Sequence, residues 1–260
     1  MLLTAKTFLR KHKQYLVFYV IGCAVVFGLK LFYSGATVDD LNWIMAPTAW
    51  WVRILSNTAF IWEEHIGYVN HDLRFIIAAA CSGVQFMTIV AAVLIFPFVH
   101  RMGTTKRGFV WIISCLCFSY LYTVFTNGFR IVLSIYLPIL LQNSGVFGSD
   151  YLSPERLHTI IGTGVYFASL VILYRAAGTL ANCIAPAHEA DKPRAIFPHA
   201  LQPLFWYATI ALGIPFLNSA YRSNDTQFTE YALLIIAVCT AVLVLFCLIS
   251  SVRKLRRPRM

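Results

Sequence analysis

Apolar residues along this chain gather into runs close to 20 residues long, divided by short polar breaks. They show neither the alternation of a half-buried strand nor the narrow stripe of a surface helix. At about 1.5 Å per residue, a 20-residue helix crosses the roughly 30 Å hydrocarbon layer of a bilayer. Six spans are predicted: Gln14–Tyr33, Cys81–Val99, Gly108–Asn127, Leu157–Tyr174, Pro203–Leu217 and Tyr231–Ser251. The fifth is the shortest and holds Pro203 and Pro215. The run Ile131–Leu141 is too short to cross. It reads as a continuation of the third helix or as a partly re-entrant piece on the same side. No small-residue cleavage site follows the first run, which is expected to remain as a span. The predicted fold class is therefore all-α: a polytopic integral membrane protein of about six transmembrane helices with a Trp-rich outer loop.

That loop lies between the first two spans. Asp39 and Asp40 open it, and Trp43, Trp50, Trp51 and Trp62 follow. Pro47 is suited to the first turn of a helix, on which Trp50/Ile54 and Trp51/Leu55 pair at i,i+4. An interfacial helix with an aromatic belt is expected. Beyond it, Ala59–Trp62 and Leu73–Ile77 read as short strands around a turn rich in Gly67, Asn70 and Asp72.

Composition and charge sharpen the picture. Of 260 residues, 59% are hydrophobic and 12% charged, and mean hydropathy is +0.69. A soluble domain runs near half apolar and about a quarter charged, so an ordinary soluble core is excluded. With the N-terminus cytoplasmic, segments 1–14, 100–107, 175–202 and 252–260 face inward. They carry 15 of the 21 Lys and Arg and only two acids, Glu189 and Asp191, for a net +13 against −3 elsewhere. The positive-inside rule selects this orientation, with both termini cytoplasmic. Nucleic acid is not an expected partner, because the basic residues form short juxtamembrane clusters instead of one groove. Membrane lipid is: the tail Arg253, Lys254, Arg256, Arg257 and Arg259 suits an anionic surface.

With that topology three chemically distinct residues share one depth. Cys81 lies at the outer end of the second span and Arg130 just beyond the outer end of the third. His158 lies at the outer end of the fourth, after Ser153-Pro154-Glu155, which reads as an N-cap, a proline at N1 and an acid in the first turn. A nucleophile, a fixed cation and a proton carrier are the parts that acyl transfer needs. A thiol near a helix N-terminus and an arginine is favoured as thiolate. Histidine exchanges protons near neutral pH, and arginine can hold an oxyanion. Each residue also has a plain reading: a small filler, a snorkelling interface cation, a helix-end histidine. That filler reading suits Cys23, Cys115, Cys117, Cys239 and Cys247, and Cys183 falls in an inner, reducing loop.

Three segments in order carry a resemblance. Phe75-Ile-Ile-Ala-Ala-Ala-Cys-Ser-Gly-Val-Gln-Phe86 resembles the Ala-x-x-Cys-Ser-Gly nucleophile segment of the exosortase/archaeosortase family. Asn127-Gly-Phe-Arg-Ile131 resembles its Asn-x-x-Arg-Ile segment, and His158 with Gly162 its His motif. The upstream Ala46-Pro-Thr-Ala and Ile66-Gly-Tyr have the look of the K subtype. The likeness spans about Leu41 to Leu170, which sets an exosortase-like catalytic core over 1–176 apart from an inner loop and two helices over 177–260. It implies a membrane-embedded cysteine protease/transpeptidase with sortase-like chemistry on an unrelated fold, needing no cofactor and no metal. Its implied substrates are exported proteins bearing a C-terminal motif, a membrane helix and a basic cluster, cut at the outer face of the bacterial inner membrane. Cys81 is the implied nucleophile, Arg130 the charge stabiliser and His158 the general acid/base. Ser82 and Gly83 would shape the approach to Cys81, and Asn127 would orient Arg130.

Rival readings are weaker. Glu63-Glu64 resembles the paired acids of the proteases that process prenylated proteins, but it lies outside the spans and the arginine that family needs is missing. Asp39-Asp40 resembles acids of lipid-linked glycosyltransferases, yet a two-acid run more often starts a solvated loop. His65 and His71, six apart, lack zinc-site spacing. The alternative from another class is a non-enzymatic membrane scaffold or small transporter. Against a conduit, the ionisable residues gather at one face and do not line a path.

Overall fold

A computed structural model describes residues 2–142, 153–184, 201–217 and 225–255. Gly148, the acids Glu189 and Asp191, their neighbours Lys192 and Arg194, and the tail Arg256, Arg257 and Arg259 lie outside the described residues. The chain is mostly helical. Its elements are α1 (Leu2–Gly35), α2 (Asn42–Ser56), β1 (Ile61–Glu63), β2 (Gly67–Asn70), β3 (Phe75–Ile77), α3 (Val84–Ile95), α4 (Thr105–Gln142) and α5 (Pro154–Ile184). After these come α6 (Gln202–Ala208), a π-helical turn (Thr209–Gly213), α7 (Ile214–Leu217) and α8 (Asp225–Leu255).

Among the described residues, four helical segments are long and apolar enough to cross a membrane: Leu16–Gly35, Thr105–Leu141, Pro154–Ile184 and Phe228–Val252. They match the expected first, third, fourth and sixth spans. Their outward surfaces are apolar; Val20, Val110 and Leu233, for example, are each about 60% exposed. Contiguous apolar surface on this scale needs lipid around it, so the chain is an integral membrane protein. The expected second span is shorter than predicted, and the fifth keeps its expected extent, helical over 202–217. At 12 residues α3 is about 18 Å long, well below the bilayer core. It is buried on nearly every side, as an all-round apolar helix must be. The fifth carries a π-helical turn within its continuous helix and packs Tyr207, Ile210 and Ala211 into the core beside Phe167 and Leu170 of α5. The boundary drawn at 176/177 falls inside α5, and α6 and α8 share that core with α3 and α5.

Ile131–Leu141 simply continues α4, which is therefore about 57 Å long and overshoots the membrane layer. Alongside this overhang stands α2. Trp43 stacks on Tyr120, Trp51 meets Phe125 edge-on, and the Tyr136 hydroxyl donates to the Ser56 carbonyl. These pairs advance together along both helices, so α2 runs beside α4 instead of lying free at the interface. Gly128 makes the approach possible, since a Cβ there would collide with the Trp51 ring. Pro47 sits inside α2 and not at its start. Lacking an N–H, it frees the Trp43 carbonyl, which accepts the Tyr120 hydroxyl at 3.0 Å.

The segment between α2 and α3 also departs from all-α. The three strands form an antiparallel sheet in the order β1-β2-β3, and the middle one occupies Gly67–Asn70, where a turn was expected. The turns fall on either side, with His65 and Arg74 at positive φ. Thr37 and Asp40 form a reciprocal box ahead of α2: the Thr37 amide and hydroxyl donate to Asp40 Oδ2, and the Asp40 amide donates to Thr37 Oγ1. Asp39 pairs with His65 at 2.7 Å, and Glu63 with His71 at 2.8 Å.

Candidate active site

Cys81 ends a 3-10 turn, Ala79–Cys81, that leads from β3 into α3. Its amide donates to the Ala78 carbonyl, and the side chain packs with Leu41, Ile44 and Met45 from the Trp-rich segment and with Ile131 of α4. That segment therefore walls the thiol. Gly83 holds φ +82°, and a Cβ there would lie 3.0 Å from Asn127 Nδ2 and from Thr123 Cγ2. Both the backbone sign and the close approach demand glycine.

The three candidate residues converge. Cys81 Sγ lies 4.0 Å from His158 Nε2, and Arg130 Nη2 lies 2.5 Å from the same nitrogen. The turn before α3 delivers the thiol, α4 the guanidinium and the first turn of α5 the imidazole. At that first turn Ser153 acts as the predicted cap, accepting the Leu157 amide on its carbonyl and the Arg156 amide on its hydroxyl. Cys81 and Arg130 are buried at 9% and 6% exposure, and His158 is half-buried.

Arg130 has no carboxylate partner among the described residues, and its Nε lacks a hydrogen bond. It lies over the Tyr166 ring at 5.7 Å and close to Cys81. Gly162 clears its place: a Cβ there would stand 3.3 Å from Arg130 Nε. A buried cation without an acid is costly and calls for anionic charge arriving from elsewhere. A thiolate or an oxyanion at Cys81 supplies it. Because the guanidinium donates to His158 Nε2, that nitrogen is an acceptor in this state and the ring proton sits on Nδ1.

Asn127 was expected to orient Arg130, and its bonds go elsewhere. Its fully buried amide donates to the Cys81 carbonyl at 2.7 Å, and its oxygen accepts the Tyr166 hydroxyl at 2.7 Å. It locks the nucleophile turn to α4 and α5. Ser82 is fully buried, close to Tyr33 of α1, and is not a rim residue.

Tyr166 and Tyr33 were missed in the sequence. For Tyr166 a signal existed, because His158, Gly162 and Tyr166 recur every fourth residue and so share one face of α5. Tyr166 also stacks on Phe86 at 4.2 Å, which fixes the ring beneath Arg130. Tyr33 ends an ordinary apolar run and carries no local signal. Comparison with protein families, curated proteins and solved structures finds no match to this chain.

Proposed function

We propose that the chain is a membrane-embedded cysteine protease/transpeptidase, acting through a thioester on exported proteins that end in a short motif, a membrane helix and a basic cluster. The observation that carries this reading is the meeting of a thiol, an imidazole and a buried guanidinium that has no acid partner among the described residues, drawn from three separate elements. The resemblance to the exosortase/archaeosortase family supports it. As Arg130 turns from His158 Nε2 to receive the oxyanion of the tetrahedral intermediate, the freed Nε2 takes the Cys81 proton and the sulfur attacks the scissile carbonyl carbon. Collapse breaks the C–N bond, and the proton on His158 passes to the departing amine. An acceptor amine or water, deprotonated by His158, then attacks the thioester and regenerates the thiol.

In this reading the site faces outward from the bacterial inner membrane and both termini are cytoplasmic, as the charge distribution favours. The test is processing in cells that express the protein with an exported substrate of that architecture. Cys81→Ala should abolish C-terminal trimming while the protein still accumulates in the membrane. Normal trimming by Cys81→Ala sinks the enzyme, and the scaffold or transporter reading then leads.

A further inference from the structure

At the opposite end of the bundle a cavity of about 540 Å³ opens between α5, α6 and α8. Its lining on α5 begins one helical turn or more before Arg175 and ends at Asn182, about 36 Å from His158 by helical rise. It is no part of the thiol centre. Two guanidinium groups edge it. Arg101, in the 3-10 turn Val99–Met102, donates from Nη1 to Asn182 Oδ1 at 2.7 Å and stands over the Phe98 ring at 5.4 Å. Arg175 donates from Nη1 to Ser250 Oγ at 3.3 Å and stands over the Phe246 ring at 5.8 Å. Neither pairs with a carboxylate among the described residues.

Among the described residues, neutral hydrogen bonds and ring faces thus hold both cations in place without neutralising them. Between them the wall is apolar, with Leu243 and Phe246 of α8 facing α5. Paired cations above a greasy slot fit an amphiphile with an anionic head. Both arginines belong to the segments whose basic surplus marks the cytoplasmic leaflet, where anionic lipid collects. We propose that this cavity binds an anionic phospholipid, its phosphodiester on Arg101, Arg175 and Asn182 and its acyl chain along Leu243 and Phe246. A basic peptide segment is repelled by the two guanidinium groups. Free phosphate satisfies the cations and leaves the slot unfilled.

The test uses the full chain, purified in non-ionic detergent, with native mass spectrometry following the titration of phosphatidylglycerol against phosphatidylcholine. The wild type should retain one phosphatidylglycerol in preference to phosphatidylcholine. Arg101→Gln with Arg175→Gln should weaken the anionic lipid by roughly 25-fold, about fivefold per cation, and leave phosphatidylcholine unchanged. Leu243→Trp, which fills the slot and keeps both charges, should also lower retention; it serves if the double variant fails to fold. Arg256→Gln, Arg257→Gln and Arg259→Gln together should leave the site intact. Undiminished retention in the cavity variants, loss with the tail variant alone, or equal affinity for the two lipids overturns the proposal. So does full displacement of the lipid by inorganic phosphate at equal concentration, which would mark a free-anion site.

Discussion

Arg130 concentrates the electrostatic cost of this molecule at one atom group, and that cost organises the residues around it. Its charge can be kept while its planar fork is removed, so Arg130→Lys should leave the protein folded and cut turnover severely, read as initial rate against protein in the membrane fraction. His158→Ala should slow processing by about 10²–10⁴-fold, the usual worth of a general acid/base. Asn127 acts through the Cys81 backbone and not through substrate. Asn127→Ala leaves the Cys81 carbonyl and the Tyr166 hydroxyl unpaired, at about 1–3 kcal/mol for each buried group. Tyr166→Phe removes one of those bonds and keeps the ring under Arg130, so it should cost less in thermal unfolding than Asn127→Ala. The convergence of Cys81, Arg130 and His158 was legible in the sequence because topology placed them at one depth. The role of Asn127 was not, because a side chain's choice among carbonyl, hydroxyl and guanidinium depends on packing angles that spacing does not carry.

At the scale of elements, the walls of the site depend on helices meeting where the chain offers little side chain. Gly128→Leu should displace the Trp51 ring and loosen α2 from α4, seen as faster proteolysis of the segment around residues 57–75. Tyr120→Phe leaves the Trp43 carbonyl without its hydroxyl donor at the Pro47 break, and should cost about 0.5–1.5 kcal/mol. The Thr37 hydrogen bonds hold the Asp40 carboxyl below its ordinary value. A depressed carboxylate stabilises above its unfolded value and loses that contribution as pH falls through the lowered one. The corner before α2 should therefore be indifferent to pH near neutrality and weaken only in strong acid. Apolar runs gave the long helices their positions. The β2 strand stayed hidden because Gly67 and Asn70 read as turn residues; yet Gly67 is there for its φ of +120°, and Asn70 for bonds to the Ala59 carbonyl and the Leu73 amide. The standing of α2 beside α4 is a long-range aromatic match, invisible to any local pattern.

Taken as a whole, the molecule is a lipid-facing bundle whose long helices support a short buried one, with the Cys81 thiol at one end of α3 and basic residues at the other. Periodicity and length gave its membrane class, whereas the shortness of α3 goes with burial on nearly every side, which frees a helix from matching bilayer thickness. An impermeant thiol reagent on intact cells should label Cys81 ahead of Cys183 if the thiol end faces outward, and the reverse order contradicts that orientation. The central claim is that Cys81 carries the acyl group. Incubating the membrane protein with an exported substrate bearing a C-terminal motif, helix and basic cluster, quenching in acid and mapping adducts by mass spectrometry tests it most directly. The account predicts a hydroxylamine-sensitive acyl adduct on the peptide containing Cys81, absent from Cys81→Ala and from enzyme without substrate. Substrate cleaved with no adduct at Cys81, or equally well by Cys81→Ala, would contradict it.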